Sequence, residues 1–364
     1  MARLSDFASY VSGAVDKVVL SALRARLTDR DPQSEETSLH RQDRRASFTD
    51  ALEFYGQPHI RSGEKFFVPP PFPHVRELKR RIVDNGPNRA VGSIVDFSFA
   101  STYEPSWAEV RDRYLSHVPN RTVHARHFRQ ARPRATLICL HGYAGGNFFL
   151  EEHAFDARLF HALGLDVLFV TLPFHGLRAQ SERTMTPSWP SADPAHTNEG
   201  FGQAISDLRA LLAWLKREQG DLPVVVMGMS LGGYTAALLA TLEPLALVVP
   251  IIPVASFAEL MWAHSKGDPD RARAEREGIT LEMFQAAMAV HLPLGRKPLL
   301  SSDRAMVLSA AGDQIAPPEH ATRLARHFGC QEIRFAGGHV LQLGRKKAFA
   351  ALVDRMRALD LILR

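Results

Sequence analysis

Three residues whose types could run nucleophilic acyl transfer stand far apart in this chain, each just past an apolar run and next to glycine. Ser230 sits in Gly228-Met229-Ser230-Leu231-Gly232, Asp313 in Ala311-Gly312-Asp313 and His339 in Gly337-Gly338-His339. A serine hydroxyl is a weak nucleophile at its own pKa, so a neutral imidazole must take its proton during attack and return it to the leaving group. A carboxylate holds that imidazole in the right tautomer and stabilises the imidazolium. Nucleophile, then acid, then histidine is one of the chain orders that such triads take. Asp303 is a rival acid, but it precedes its strand and so lies on the wrong side for catalysis. His320 and His327 fall within a predicted helix that faces solvent.

Acyl transfer also needs N–H donors for the oxyanion. The apolar run 135–140 leads directly into His141-Gly142-Tyr143-Ala144-Gly145-Gly146, whose glycines permit a backbone that turns its N–H groups inward. The donors are assigned to the backbone N–H of Tyr143 and of Leu231, the residue after the nucleophile. Phosphate cradling is the competing use of such glycines. Neither G-x-G-x-x-G nor a Gly-Lys-Ser/Thr ending is present, which weighs against it.

These residues must be aimed by elements. Residues 223–227 read as a short buried strand, and Tyr234, Ala237, Leu238 and Thr241 recur at helical spacing after Ser230, so the pentapeptide is a strand-to-helix turn. Runs at 305–310 and 333–336 are strands ending at the Asp313 and His339 loops. Strands at 166–171 and 245–253 alternate with helices at 150–163, 202–217 and from Lys346 to Leu359. That alternation predicts βαβ units and a parallel sheet, led by antiparallel strands at 92–100 and 123–128.

The chain resembles the alpha/beta-hydrolase superfamily, from about Arg134 to the C-terminus: the elbow at Ser230, the His141-Gly142 loop, and the late Asp313 and His339 all have counterparts there. The resemblance implies an α/β fold with a mostly parallel central sheet flanked by helices, and serine-ester chemistry at the carboxyl ends of the strands. The Leu172-Pro173-Phe174-His175-Gly176 loop, the Gly-Met-Ser-Leu-Gly-Gly elbow and the long N-terminal extension resemble the "alpha/beta-hydrolase domain-containing protein 18-like" group within it. His175 is expected to shape a loop beside the site.

Two insertions interrupt the pattern. The stretch 178–199, rich in Ser, Thr and Pro, carries Trp189 in an otherwise polar loop, and a loop of that length is usually functional. Residues 256–300 place Phe257, Leu260, Met261, Trp262, Met283 and Phe284 at helical spacings around a charged run, as a helical cap over the site would. Substrate contacts are accordingly expected from His141, Gly142, His175, Trp189 and Trp262. At the N-terminus, Leu4, Phe7, Val11, Val15, Val18, Ala22 and Leu23 recur at i, i+3, i+4 spacing, while Asp6, Ser9, Ser12, Asp16, Lys17 and Arg24 take other positions. This is an amphipathic helix that docks on the body of the protein, with a lipid surface or a partner groove as the alternatives. The organisation expected is that helix over 1–30, an Arg/Pro-rich extension over 31–90 with a loose charged linker at 31–45, and the hydrolase domain over 91–364 with its cap at about 256–300.

Composition narrows the classes. The 364 residues suffice for one hydrolase domain with extensions, and no run approaches a membrane span of roughly 20 apolar residues. The net charge of +5 comes with no nucleic-acid motif. Cys139 and Cys330 are the two cysteines, which with no secretory signal points to the cytoplasm. No H-E-x-x-H occurs and the histidines do not pair on one helix, so no metal and no cofactor is called for. A carboxylate at the elbow would have signalled dehalogenase-type chemistry. The expected activity is cleavage of small-molecule or lipid carboxylic esters through an acyl-enzyme on Ser230. Amides, thioesters or acyl transfer to another alcohol use the same residues. The contrasting class is a non-catalytic interaction protein that keeps the fold.

Overall fold

The computed structural model describes residues 2–28, 48–83, 92–180 and 187–363. The linker expected at 31–45 lies outside the described residues, as do residues 181–186 of the first insertion. Nine strands form one sheet: β1 (Arg76–Val83), β2 (Gly92–Ala100), β3 (Thr122–Arg129), β4 (Ala135–Leu140), β5 (Leu165–Val170), β6 (Val224–Met229), β7 (Leu247–Ile251), β8 (Met306–Ala310) and β9 (Gln331–Phe335). Their order is β1-β2-β3-β5-β4-β6-β7-β8-β9. The pairs from β5 to β9 are parallel, and β1, β2 and β3 enter antiparallel. This is the alpha/beta-hydrolase fold expected.

The central strands are near-continuous apolar runs because helices cover both faces of a parallel sheet. Alternate residues therefore go to opposite cores: Ile138, Leu140 and Val226 to one, Leu137, Cys139, Val225 and Met227 to the other. β1 escaped prediction. Its sequence RELKRRIV is mostly charged, which suits an edge strand whose side chains face water and discourages further pairing. The sheet thus begins at Arg76, inside the stretch read as an extension.

Two helix boundaries also differ. The expected helix at 150–163 is two helices, Phe148–Ala154 and Ala157–Ala162, because Asp156 takes a left-handed conformation between them (φ 50°). The helix expected from Gly202 starts at Pro194 and runs to Gln219, since Asp193 caps it by accepting from the His196 N–H at 3.1 Å and Pro194 needs no donor at the first turn. It consumes the end of what read as a long loop.

Register sets where chemistry can happen. Leu140 pairs with Gly228, Met229 with Ile251, Ile251 with Leu308, and Ala310 with Phe335. The segments that follow these residues, beginning at His141, Ser230, Ala311 and Ala336, therefore emerge side by side along one carboxyl edge of the sheet. Open α/β sheets place their ligand crevices there.

Candidate active site

Ser230 stands between β6 and the helix Leu231–Leu239 with φ 53° and ψ −110°. For a non-glycine residue this is a strained backbone, costing about 1–3 kcal/mol. The turn is tight enough that neighbours cannot carry side chains: a Cβ on Gly228 would come within 2.1 Å of the Gly232 carbonyl oxygen, and one on Gly232 within 2.0 Å of the Leu140 oxygen. Both flanking glycines are thus required by close approach. The Ser230 N–H donates to the Ile251 oxygen at 2.9 Å, tying the turn to β7.

Asp313 and His339 meet across 26 residues of chain. The His339 Nδ1 lies 2.7 Å from Asp313 Oδ2. Asp313 Oδ1 accepts from the N–H groups of Ile315 (2.9 Å) and Ala316 (2.7 Å), so both carboxylate oxygens are held. The two loops are also bonded to each other, from the Gly312 N–H to the Gly337 oxygen at 2.9 Å. Burial alone would lower the His339 pKa. The Asp313 charge and hydrogen bond, helped by the charge of Asp16, more than offset that and raise it. Gln342, three residues past His339, donates to the His339 oxygen at 3.3 Å and places its Nε2 3.9 Å from the sulfur of Met229, beside Ser230.

The glycine loop lies on the other flank. A Cβ on Gly142 would sit 3.6 Å from the Ser230 Cβ. His141 is buried and held at both nitrogens: Nδ1–H donates to the Gly142 oxygen at 2.8 Å, and Nε2 accepts from the Leu172 N–H at 3.0 Å. Burial pushes its pKa down to about 4, so the ring is neutral and its tautomer is set. The Gly146 N–H donates to Glu151 Oε1 at 3.0 Å. Leu231 opens the elbow helix, where a backbone N–H has no partner within the helix.

The other expected contacts divide. Gly142 borders Ser230, whereas Trp189 and His175 are fully buried. The Trp189 N–H donates to the Thr197 oxygen at 3.1 Å, and its ring packs on His175 and Phe201. Trp189 is therefore a core residue that leaves no face for a substrate; the polar composition of its own loop conceals partners that lie on the preceding loop and the following helix. His175 donates from Nδ1 to the Pro173 oxygen at 2.7 Å and likewise packs under the loop. Trp262 belongs to the second insertion, which forms the helices Phe257–His264, Pro269–Arg276 and Leu281–Ala287. It lies under the Arg271 guanidinium at 4.5 Å and meets Phe284 at a tilted angle. That insertion touches the acid loop through His264 Nε2, 2.6 Å from the Ile315 oxygen.

The rival residues are accounted for. Asp303 lies before β8, at the end opposite Asp313. His320 does not face solvent: it is buried and its Nδ1 accepts from the Ala255 N–H at 3.2 Å, while His327 Nε2 lies 2.8 Å from the Arg296 oxygen. Among the described residues no group of His, Cys, Asp and Glu could hold a metal ion.

A strand-turn-helix serine, an aspartate-bound histidine and a glycine loop at one sheet edge narrow the family, and the Alpha/beta hydrolase family profile matches residues 137–352. The chain belongs to the alpha/beta hydrolase family. An uncharacterized protein of Mycobacterium tuberculosis, Rv2627c, is 32% identical to this hydrolase over 337 residues, which are 89% of this chain and 76% of that protein. Among solved structures it is similar to an acetyl xylan esterase from Paenibacillus sp. R4 (TM-score 0.54, 17% identity, 86% of this chain and 95% of that one). Acetyl xylan esterase 1 from Thermoanaerobacterium sp. JW/SL YS485 gives TM-score 0.53 at 16% identity, covering 86% and 92%. At such identities the likeness is one of fold.

Sequence reasoning missed three buried charged groups. Arg178 is buried and holds the Thr171 and Asn120 oxygens and Asp207 (2.8 Å), fixing the segment beside the glycine loop. Glu199 accepts from the hydroxyls of Tyr55 (2.6 Å) and Tyr103 (2.5 Å). Asp16, on the N-terminal helix Ala2–Thr28, reaches both the Asp313 and His339 loops. The docking face is displaced from the apolar stripe expected, with Val11 and Val15 only half-buried. Ser12 and Asp16 are buried against the body, whereas Val18 is 70% exposed. The helix meets loops rich in N–H groups, so polar residues make the better contact. The side chains of Leu4, Phe7, Ala22, Leu23 and Arg24 lie outside the described residues.

Proposed function

We propose that this protein is a serine hydrolase of carboxylic esters that works through an acyl-enzyme on Ser230. The observation that carries the reading is the 2.7 Å contact between His339 Nδ1 and Asp313 at the sheet edge where the strained Ser230 emerges. With Nδ1 committed to Asp313, Nε2 is the nitrogen left to take the Ser230 proton. The Ser230 oxygen attacks the ester carbonyl, and the N–H groups of Tyr143 and Leu231 receive the oxyanion. Losing one such donor typically costs about 10²–10³ in turnover. The tetrahedral intermediate expels the alcohol, protonated by His339. Water, deprotonated by the same imidazole, then releases the acid and restores Ser230.

The ester as substrate class is supported by the names of the two fold neighbours, both esterases. Lipase, thioesterase and acyltransferase activities would use the same atoms. The helices of 256–300, tied to the acid loop at Ile315, would bound the acyl or alcohol pocket as a cap. The finer kinship with the alpha/beta-hydrolase domain-containing protein 18-like group rests on residues 172–176 and the elbow. A cytoplasmic location fits two free cysteines, of which Cys139 is buried. No helix among the described residues is long and apolar enough to cross a membrane.

A fluorophosphonate probe separates this reading from a non-catalytic interaction protein. Native protein should be labelled and Ser230→Ala should not; equal labelling of both, or of neither, would overturn the enzyme reading. Esters graded in acyl length, with Ser230→Ala as the blank, then assign the substrate. The acid limb of kcat/KM should lie above the ordinary imidazole value, because the base must be neutral and His339 is raised.

A further inference from the structure

Asp16 is remote in sequence from every residue of the site, yet it is fully buried against it. Its Oδ2 accepts from the Gln314 N–H (3.1 Å) and the His339 N–H (2.8 Å), and its Oδ1 from the Val340 N–H (2.9 Å). One carboxylate thus clamps the residue after the acid and the histidine itself. The neighbouring turns of the helix are shaped for this approach. Ser9 donates from Oγ to the Ala336 oxygen at 2.6 Å, and Gly13 lets the helix backbone close on the Asp313 loop, a Cβ there meeting the Gly312 oxygen at 3.0 Å. On the opposite side, a Cβ on Gly312 would come within 2.3 Å of the Ser9 oxygen. Ser9, Ser12, Gly13 and Asp16 follow i, i+3, i+4, i+7, so one stripe of small and polar residues lies along the two loops.

We propose that Asp16 is a positioning residue for the triad: the N-terminal helix delivers a second carboxylate that fixes the His339 loop against the Asp313 loop. The proposal rests on the reading of His339 as general base. Its consequence is that residues long before the hydrolase sheet are part of the catalytic apparatus. A carboxylate is suited to the task because each oxygen accepts from backbone N–H groups without carrying a competing donor. Acting directly on the His339 ring are two charges, Asp313 from the β8 loop and Asp16 from the N-terminal helix; burial works against both, and the sum raises the pKa of the imidazole.

The test uses full-length protein and p-nitrophenyl acetate. Asp16→Asn keeps the shape but removes the charge and turns one acceptor into a donor. We expect kcat to fall about 10- to 100-fold with little change in KM, as displacement of a catalytic group does. The acid limb of kcat/KM should move to lower pH, because the imidazolium loses a stabilising charge. Asp16→Glu restores the charge on a longer arm, so it should keep the limb of the native protein while kcat stays reduced. Val18→Ser, exposed on the same helix, should match the native protein in both. The His339 ring is also titrated by nitrogen-edited NMR in native and Asp16→Asn protein, a readout that needs no turnover. Native protein that is inert to ester and fluorophosphonate, yet shows the lowered His339 pKa in the variant, would sink the enzyme reading and leave the Asp16 clamp standing. An Asp16→Asn protein with native kcat and native His339 titration overturns the clamp. If the Asn variant does not fold, Asp16→Glu with native kcat overturns it in the same way.

Discussion

The two flanks of Ser230 are held by different physics. On the glycine-loop side, His141 is neutral and hydrogen-bonded at both nitrogens, and the neighbouring segment is pinned by the buried Arg178–Asp207 pair. On the acid-histidine side, the carboxylates of Asp313 and Asp16 accept backbone N–H groups and bias His339 towards imidazolium. In the proposed mechanism the first flank has only to keep N–H groups aimed, a task for rigid packing. In the same proposed mechanism the second accepts and returns a proton, so its electrostatics would favour the state formed halfway through the reaction. Damage should therefore read out as lost stability on one side and as lost rate on the other.

The largest effect expected on this contrast comes from Asp313→Asn. The amide can still bond His339 but favours the wrong tautomer and no longer stabilises the imidazolium. With the enzyme reading correct, kcat should drop by about 10³–10⁴ while the melting temperature stays close to native. A change confined to stability would erase the distinction between the flanks. Next is Arg178→Met, which leaves Asp207 buried without its ion-pair partner. Breaking such a pair costs about 3–5 kcal/mol, so calorimetry should show a large fall in melting temperature, with kcat of the folded fraction near native. If kcat falls as steeply as for Asp313→Asn, the glycine-loop flank is not merely a scaffold.

The smallest effect is expected from Glu151→Gln. Burial lifts the Glu151 pKa to about 6, against the pull of the Gly146 N–H. A raised carboxyl pKa means the folded state holds its proton longer than the unfolded state. Its contribution to stability is therefore complete below the unfolded pKa and lost as pH rises through about 6. The glutamine keeps an acceptor for Gly146 without that charge, so the unfolding free energy should decline less between pH 4 and 7, by an amount on the order of 2 kcal/mol. An unchanged pH profile of stability would show that Glu151 does not titrate in the fold.

Legibility in the sequence followed locality. The elbow, the acid and histidine loops and the alternating strands are written in short apolar runs broken by glycine, so their types and order survive without tertiary information. β1 was missed because an edge strand need not be apolar, and the start of the long helix was missed because Asp193-Pro194 was taken as part of a polar loop. Trp189 misled for the opposite reason: its composition context was polar, but its burial is decided by Phe201 and His175, which lie on other elements. The N-terminal helix was legible as a helix, while its docking face was not.

By itself the sequence determined that a G-x-S-x-G turn would follow a buried strand, that Asp313 and His339 would close later strands, and that the strands would run parallel, because each depends on a few adjacent residues and on backbone sterics. Only the tertiary structure decided that Asp313 and His339 touch, that His141 is locked neutral beneath the glycine loop, and that Asp16 reaches across more than 300 residues of chain to hold the histidine. Hydrogen bonds and desolvation depend on where side chains come to lie, and no spacing along the chain encodes that until the sheet has brought its loop ends together.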